Sequence, residues 1–194
     1  MSTNTQHAGG AAPPGTPAAV EASRPAPSEP SPAGRPAEQA LEDWVSVDAS
    51  HCGVLATTGI VGDQWSLLIL RDAMLGVRRF DQYQRHLGVS RTVLADRLGK
   101  LVAAGILTRE EYQEQGERPR WEYRLTRKGW GLQNVLLALR EWGNRYLVSE
   151  DERLLELVQA STGEPVELAL VRSSDGVRID PRDLDHRPGP GLRP

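Results

Sequence analysis

The fold is decided by residues 78–126, which read RRFDQYQRHLGVSRTVLADRLGKLVAAGILTREEYQEQGERPRWEYRLT. Apolar residues at spacings of three and four predict a short helix over Phe80–Leu87 and a second helix over residues 91–104. Between the two helices, Gly88 tolerates a positive φ and the Ser90 hydroxyl can cap the second helix, so a tight turn is expected there. Two helices joined by such a turn form a helix-turn-helix.

A β-hairpin is predicted after the second helix. Residues 107–113 form its first strand, and in its second strand, residues 121–125, Trp121 and Tyr123 alternate with polar neighbours as in a half-buried strand. The polar segment between the strands contains Gly and Pro and predicts a loop. The predicted fold class is therefore mainly α with a small β-hairpin wing (α+β), a winged helix-turn-helix.

Two further helices are predicted before this segment. The first begins near Leu41, includes Val54 and Leu55, and ends at Gly62. Asp63 occupies the N-cap position of the second helix, which is apolar on almost every side. We therefore expect this second helix at the buried centre of the domain.

A long last helix, capped by Thr126, carries a narrow apolar seam. Its members are spaced three and four residues apart: Leu132, Val135, Leu139, Trp142 and Tyr146. Because so narrow a seam suits one partner helix rather than a broad core, it predicts the interface of a homodimer.

The segments outside this domain differ from it in composition. Residues 1–40 consist mostly of small residues and Pro and can bury little surface, which predicts a disordered tail. Residues 41–148 form the folded domain. Residues 149–194 form a small C-terminal extension with an acidic helix over residues 150–159, a hairpin turning at residues 173–176, and a loose tail.

Charge is unevenly distributed along the chain. Residues 61–128 carry 13 Lys/Arg against 9 Asp/Glu, a local charge of +4, although the formal net charge of the chain is -3. A basic centre between acidic flanks favours a polyanionic partner such as double-stranded DNA. The single cysteine excludes an internal disulfide, and no apolar run is long enough for a membrane span. The expected setting is cytoplasmic, at the nucleoid.

The second helix of a helix-turn-helix enters the major groove with its N-terminal residues closest to the bases. Arg91 can bind guanine bidentately, and Thr92 can contact a phosphate or a thymine methyl group. The full predicted DNA-binding set comprises Arg78, Arg79, Ser90, Arg91, Thr92, Asp96, Arg97, Lys100, Arg118 and Arg120, the last two at the tip of the wing.

Two alternatives stay open from the residues alone. Residues 91–100 can also be the solvated face of an amphipathic helix. A winged helix can also serve as a protein-interaction module that does not read DNA, since a shared fold does not guarantee a shared function. An enzyme is not expected, because the histidines are scattered and phosphate-loop and nucleophile-elbow motifs are absent from the sequence. No cofactor or metal is implied.

The sequence also resembles the HxlR-type regulator family, over residues 50–147. The resemblance rests on His51-Cys52, Gly62-Asp63-Gln64-Trp65, Gly88-Val89-Ser90 and Glu122-Tyr123-Arg124-Leu125-Thr126. It continues at Arg79-Phe80, Leu94, Arg97-Leu98, Leu101, Gly105, Gly129 and Trp142. It implies a homodimeric winged-helix transcription regulator, with dimer contacts from the first and last helices of the domain. The chain departs from the family at Gln64, where Lys is common, and in an extension that has no paired cysteines.

The signal that such a regulator would sense stays open between two inputs. A small-molecule effector could bind in a cavity near Trp65 and Trp142. Cys52, at a position where some relatives use a thiol switch, is a candidate redox switch. We prefer to interpret Cys52 as a small buried apolar residue, since reactivity requires a low pKa and exposure.

Overall fold

A computed structural model describes residues 49–113, 116, 119–184 and 186 of the chain. The helices are α1 (Gly53–Val61), α2 (Gln64–Met74), α3 (Phe80–Leu87), α4 (Arg91–Ala103), α5 (Arg127–Trp130) and α6 (Gln133–Tyr146). The strands are β1 (Leu107–Tyr112), β2 (Arg120–Leu125), β3 (Leu170–Val171) and β4 (Arg178–Ile179), and short 3-10 turns cover Ala49–His51, Glu150–Glu152 and Pro181–Asp183. The predicted N-terminal tail, the predicted helix start near Leu41 and the predicted tail from residue 187 lie outside the described residues.

The core of the domain lies between α2, α4 and the start of β1. Ile69 and Leu70 of α2 are fully buried, as the apolar sequence of that helix predicts. Leu94, Leu98 and Leu101 project from one face of α4 into the same cluster. Because these side chains follow helical spacing, one continuous face of α4 is buried and the opposite face remains exposed.

Gly62 and Asp63 form the corner between α1 and α2. A Cβ atom at Gly62 would lie 2.4 Å from the carbonyl oxygen of Thr58, so a side chain there would collide with the helix backbone. The Asp63 carboxylate accepts hydrogen bonds from the backbone N–H groups of Trp65 and Ser66, both at 3.1 Å. The predicted helix end and the predicted N-cap are both confirmed.

The helix-turn-helix consists of α3, α4 and the turn between them. Gly88 has a φ of 64°, in the left-handed region that favours glycine. The Ser90 hydroxyl accepts a hydrogen bond from the backbone N–H of Val93 at 3.4 Å. Both features agree with the sequence prediction, and α4 ends one residue earlier than expected, at Ala103.

Residues beyond the hairpin hold the C-terminal end of α4. The Thr126 hydroxyl donates to the carbonyl oxygen of Gly105 at 2.7 Å, and Lys128 Nζ donates to that of Ala104 at 2.8 Å. The Thr126 oxygen also accepts from the backbone N–H of Gly129 and so caps α5. Carbonyl groups that a helix end leaves unpaired are thus satisfied by side chains.

The wing is the antiparallel pair of β1 and β2. Leu107 lies opposite Leu125 at the open end of the hairpin, and Tyr112 lies opposite Arg120 near the tip. The backbone N–H of Tyr123 donates to the carbonyl oxygen of Arg78 at 2.8 Å, which attaches the hairpin to the segment before α3. The predicted winged helix-turn-helix is confirmed.

A buried carboxylate joins α2 to α3. Asp72 is fully buried, and its oxygens accept from Arg71 Nε at 2.9 Å and from His86 Nδ1 at 2.7 Å. Beside it, the Tyr83 hydroxyl donates to the carbonyl oxygen of Val77 at 2.7 Å. Burial, together with the nearby charge of Asp72, raises the pKa of Tyr83, so its phenol stays protonated as a donor. A buried charge with partners on two sides can persist in the core.

The last helix of the domain is interrupted, although the sequence predicted a continuous one. The backbone N–H of Leu132 donates to the carbonyl oxygen of Gly129, only three residues back, and this tighter turn separates α5 from α6. A Cβ atom at Gly129 would lie 2.3 Å from the carbonyl oxygen of Ile106. Close packing of α5 against the start of the wing therefore accompanies the interruption.

The predicted acidic helix over residues 150–159 is wrong. Only Glu150–Glu152 is helical, as a single 3-10 turn. The backbone N–H of Gln159 bonds to Glu164, and that of Val166 bonds to Leu157, so this backbone pairs across a turn instead of along a helix. The predicted hairpin around residues 173–176 is present, but β3 and β4 contain only two residues each.

Within the described ranges, no single helix is long and apolar enough to cross a membrane. By length and composition α1 and α2 would pass such a test as a pair, but they are bent by 83°.

Candidate nucleic-acid interface

The N-terminal end of α4 is the centre of the candidate interface. Ser90, Arg91 and Thr92 are all exposed there, beside the first turn of the helix. Unpaired backbone N–H groups and the helix dipole make such an end favourable for phosphate oxygens. The three residues that the sequence predicted to contact base edges and nearby phosphates therefore lie together on one accessible surface.

Arg91 is held in place by α3. Its guanidinium carbon lies 5.1 Å from the centre of the Phe80 ring, and its Nη1 donates to Gln84 Oε1 at 3.4 Å. A stacked guanidinium loses less side-chain freedom on binding than one extended into solvent. The structure thus positions Arg91 before any partner arrives.

Lys100 and Arg97, further along α4, are both engaged with carboxylates. Lys100 Nζ lies 2.9 Å from Asp96, and Arg97 Nη1 lies 3.4 Å from the same carboxylate. Arg97 Nε also lies 3.1 Å from Asp63, and only 28% of the Arg97 side chain is exposed. Arg97 therefore connects the exposed helix to the N-cap of α2, and its predicted phosphate contact would have to compete with that ion pair.

The carboxylate of Asp63 is stabilised in its charged form. Burial by itself would raise its pKa, but hydrogen bonds from the Ser66 hydroxyl and backbone, the charge of Arg97 and a bond from the Trp65 backbone lower it overall. Asp63 consequently stays ionised, which preserves both the helix cap and the ion pair to Arg97.

Arg78 and Arg79 lie where the hairpin meets α3. Arg78 is exposed, whereas Arg79 is half-buried with its guanidinium carbon 4.5 Å from the centre of the Tyr112 ring. The backbone N–H of Arg79 donates to Gln82 Oε1 at 3.0 Å, which fixes the start of α3. Both arginines therefore extend the candidate interface from α3 toward the wing.

The wing contributes one basic residue that sequence reasoning missed. Arg109 is exposed on β1, and its guanidinium carbon lies 4.1 Å from the centre of the Trp121 ring on β2. The strand register could have indicated this diagonal contact, since long side chains two positions out of register reach one another. Arg120 is exposed in β2, and Arg118 lies outside the described residues.

The predicted dimer seam divides into two parts. Leu132 is half-buried and packs against the core of its own chain. The other four members are exposed apolar side chains on α6: Val135 (41%), Leu139 (49%), Trp142 (56%) and Tyr146 (42%). Exposed apolar side chains that lie in a row on one helix are typical of interaction surfaces.

The two sites considered for signal input lie in different places. Cys52 is half-buried at the N-cap of α1, where its carbonyl oxygen accepts from the backbone N–H of Ala56. An open pocket of about 700 Å³ lies between α2, α6 and the C-terminal extension. Its wall includes Trp130, rather than the Trp65 and Trp142 that the sequence suggested.

The chain is similar in sequence to one family of regulators. The model of the HxlR-like helix-turn-helix family matches residues 60–151. The HTH-type transcriptional regulator Rv3095 of Mycobacterium tuberculosis is 39% identical over 134 residues, which cover 69% of this chain and 84% of that relative. YdeP of Bacillus subtilis, also an HTH-type transcriptional regulator, is 30% identical over 105 residues, which cover 54% of this chain and 80% of that relative.

Two solved structures are similar in fold. PA1607, a proposed transcription factor, has a TM-score of 0.63 and 37% identity, over 71% of this chain and 95% of its own. PA1374 from Pseudomonas aeruginosa, also a proposed transcription factor, has a TM-score of 0.52 and 34% identity, over 73% of this chain and 95% of its own.

Proposed function

The chain belongs to the HxlR-like helix-turn-helix family of transcriptional regulators, and from that premise we propose that it binds an inverted-repeat operator as a homodimer. Its relatives are named as regulators of transcription, which is not an enzymatic class. Family membership gives the role as a transcriptional regulator. The operator symmetry, the dimer and the contact residues are what we propose beyond it.

One observation carries the proposal: the same chain presents an exposed α4 N-terminus and, on α6, a row of exposed apolar side chains. The first surface suits a DNA groove and its phosphates, and the second suits another copy of the chain. Two copies related by a twofold axis would place their α4 helices in successive major grooves, about one helical turn or 34 Å apart.

In the proposed complex, Arg91 and Thr92 read bases while the remaining predicted residues position the protein. Ser90 and Lys100 lie near the phosphates, and Arg78 and Arg79 extend the contact toward the wing. Arg118, Arg120 and the added Arg109 reach the neighbouring backbone or minor groove. Asp96, paired with Lys100, shapes which bases are accepted next to Arg91.

Binding to DNA from upstream of the protein's own gene tests the reading helix. We expect Arg91→Ala combined with Thr92→Ala to weaken specific binding by about tenfold or more, because each bidentate base contact contributes roughly 1–3 kcal/mol of discrimination. A matched control is Arg172→Ala combined with Ser173→Ala, which removes the same kinds of groups from the extension. Equal binding by the two double variants across a salt series would contradict the proposal.

The oligomeric state tests the seam on α6. We expect Leu139→Asp to yield monomers in light scattering, because a charge would be desolvated at the centre of an apolar interface. Leu154→Asp introduces the same charge at an exposed leucine of the extension and should leave the dimer intact. Dimers that persist in the Leu139→Asp protein place the interface elsewhere.

Signal input is proposed to act through the spacing of the two α4 helices. A dimer must match both half-sites together, so a modest change of dimer geometry changes operator affinity. A small molecule is the favoured input. The role of Cys52 as a thiol switch stays a prediction.

A further inference from the structure

An open pocket of about 700 Å³ separates α2 from α6 and is bounded on a third side by the C-terminal extension. Its wall is mainly apolar, with side chains that include Leu67, Leu68, Met74, Leu136, Leu137 and Leu157. A volume of this size and an apolar wall are typical of sites for small organic ligands. Residues 155–157 of the extension supply part of the wall, so the pocket is formed jointly by the folded domain and the extension.

Arg140 supplies the polar group that distinguishes this pocket from a packing defect. Its Nε is buried and has no hydrogen-bond acceptor in the part of the chain that the structure describes. A buried donor without an acceptor is unfavourable, and almost all buried polar groups in proteins have a partner. Arg140 as a whole is half-buried and lines the pocket, so its guanidinium group is placed to bind an acceptor that enters there.

The other charged groups of the wall are used differently. Arg71 is bound through Nε and Nη2 to the buried Asp72, at 2.9 and 2.8 Å. Glu156 also lines the pocket and is exposed to solvent. Gln64 and Gln133 add neutral hydrogen-bonding groups. Arg140 is consequently the cation with an unused donor, and a guanidinium binds a carboxylate in a fixed, often bidentate geometry.

We propose that this pocket binds an amphipathic organic anion, a molecule with an apolar body and a carboxylate, and that Arg140 binds the carboxylate. The apolar body lies against the leucines of α2 and α6, where burial of its surface drives binding. The binding itself stands apart from the function proposed above, whereas its effect on DNA rests on that function.

The position of the pocket gives the ligand a route to the DNA-binding surface. Helix α2, which forms one wall, also carries the buried Asp72, which contacts His86 of α3, and its N-cap Asp63 contacts Arg97 of α4. Its α6 wall includes Leu139 from the predicted dimer seam. A ligand that changes the separation of α2 and α6 thus changes the position of the helix-turn-helix relative to the partner copy.

Isothermal titration calorimetry of the full chain with decanoate tests the proposal, with 1-decanol as the neutral probe of the same length. We expect saturable binding of one decanoate per chain, and weaker binding of 1-decanol. Arg140→Met keeps an apolar side chain of similar length and should weaken decanoate binding about tenfold to a hundredfold, because a hydrogen bond to a charged group is lost. Arg145→Met, on the same helix but paired with Glu141, is the matched control and should bind as wild type does.

Three results would overturn the proposal: no saturable decanoate binding, equal binding of decanoate and 1-decanol to the wild-type protein, or equal loss in both methionine variants. The comparison of the two probes needs no variant and so does not depend on the folding of Arg140→Met. Gel shifts with operator DNA in the absence of decanoate separate this inference from the proposed function. Operator binding without decanoate binding rejects only the pocket, and decanoate binding without operator binding rejects only the operator.

Discussion

The helix-turn-helix with its wing and the C-terminal extension are built in opposite ways. In the first region, α4 buries Leu94, Leu98 and Leu101 completely. In the second, from residue 153 onward, apolar side chains are mostly exposed, and Leu154 reaches 94%. The first region is therefore stable through its own core, whereas the second gains little from burial within one chain.

Truncating one leucine in each region, buried in the first and exposed in the second, should show the largest difference between them. We expect Leu98→Ala to lower the free energy of unfolding by about 2–5 kcal/mol, because it leaves a cavity in a close-packed core. Leu154→Ala should change it by no more than about 0.5 kcal/mol. Urea denaturation followed by circular dichroism measures both values. Comparable losses would show that the extension is buried in solution, for example by a second copy.

Two glycines of the folded domain, one in α4 and one in α5, should respond in opposite directions to the same substitution. Gly129→Ala places a methyl group 2.3 Å from the Ile106 carbonyl oxygen and should destabilise by about 1–3 kcal/mol through overpacking. Gly99→Ala, on the exposed face of α4, meets no atom within 4 Å and should stabilise by about 0.5–1 kcal/mol through helix propensity. Thermal unfolding of the two variants tests whether α5 docks on the wing as closely in solution.

A pair of aspartates extends the comparison to pH. Asp63 caps α2, and its lowered pKa means that the stability it adds is present above the ordinary value of 3.8 and is lost as pH falls through the folded value. Asp63→Ala should cost about 0.5–2 kcal/mol near neutral pH, and the difference from wild type should shrink below pH 4. Asp180, whose pKa hydrogen bonds from Arg182 lower to about 2, lies partly exposed in the extension.

Carboxyl chemical shifts and unfolding curves at several pH values measure this contrast. We expect Asp180 to titrate near pH 2 without a matching change in unfolding free energy, because solvent screens an exposed pair. An Asp180→Ala variant that loses as much stability as Asp63→Ala would remove the distinction between the two regions.

Sequence reasoning succeeded where local chemistry decides the structure. The Asp63 cap, the Gly88 turn and the Ser90 cap depend on one to three neighbouring residues, and each was predictable. The break between α5 and α6 was not, because it accompanies contact of Gly129 with Ile106, which lies far away in sequence. The acidic stretch after Ser149 has helical composition, but its backbone pairs with residues 164–166 instead.

The candidate interface also divides into features set by neighbouring residues and contacts between distant elements. Exposure of Ser90, Arg91 and Thr92 follows from the spacing of the buried leucines on α4. The contact of Arg97 with Asp63, the stack of Arg109 on Trp121 and the burial of Asp72 all join separate elements. Such contacts become visible only when the packing of the elements is known.

The hydrogen bonds at the two ends of α4 influence how this regulator can evolve. Ser90 caps one end of the helix, and Thr126 with Lys128 binds the carbonyl oxygens that follow the other end, so we expect the helix and the wing to move together as one rigid block. A rigid block transmits displacement without altering the residues that face DNA. We therefore expect effector specificity and operator specificity to be separable. Substitutions around the pocket can change which molecule is sensed while the recognised operator stays the same.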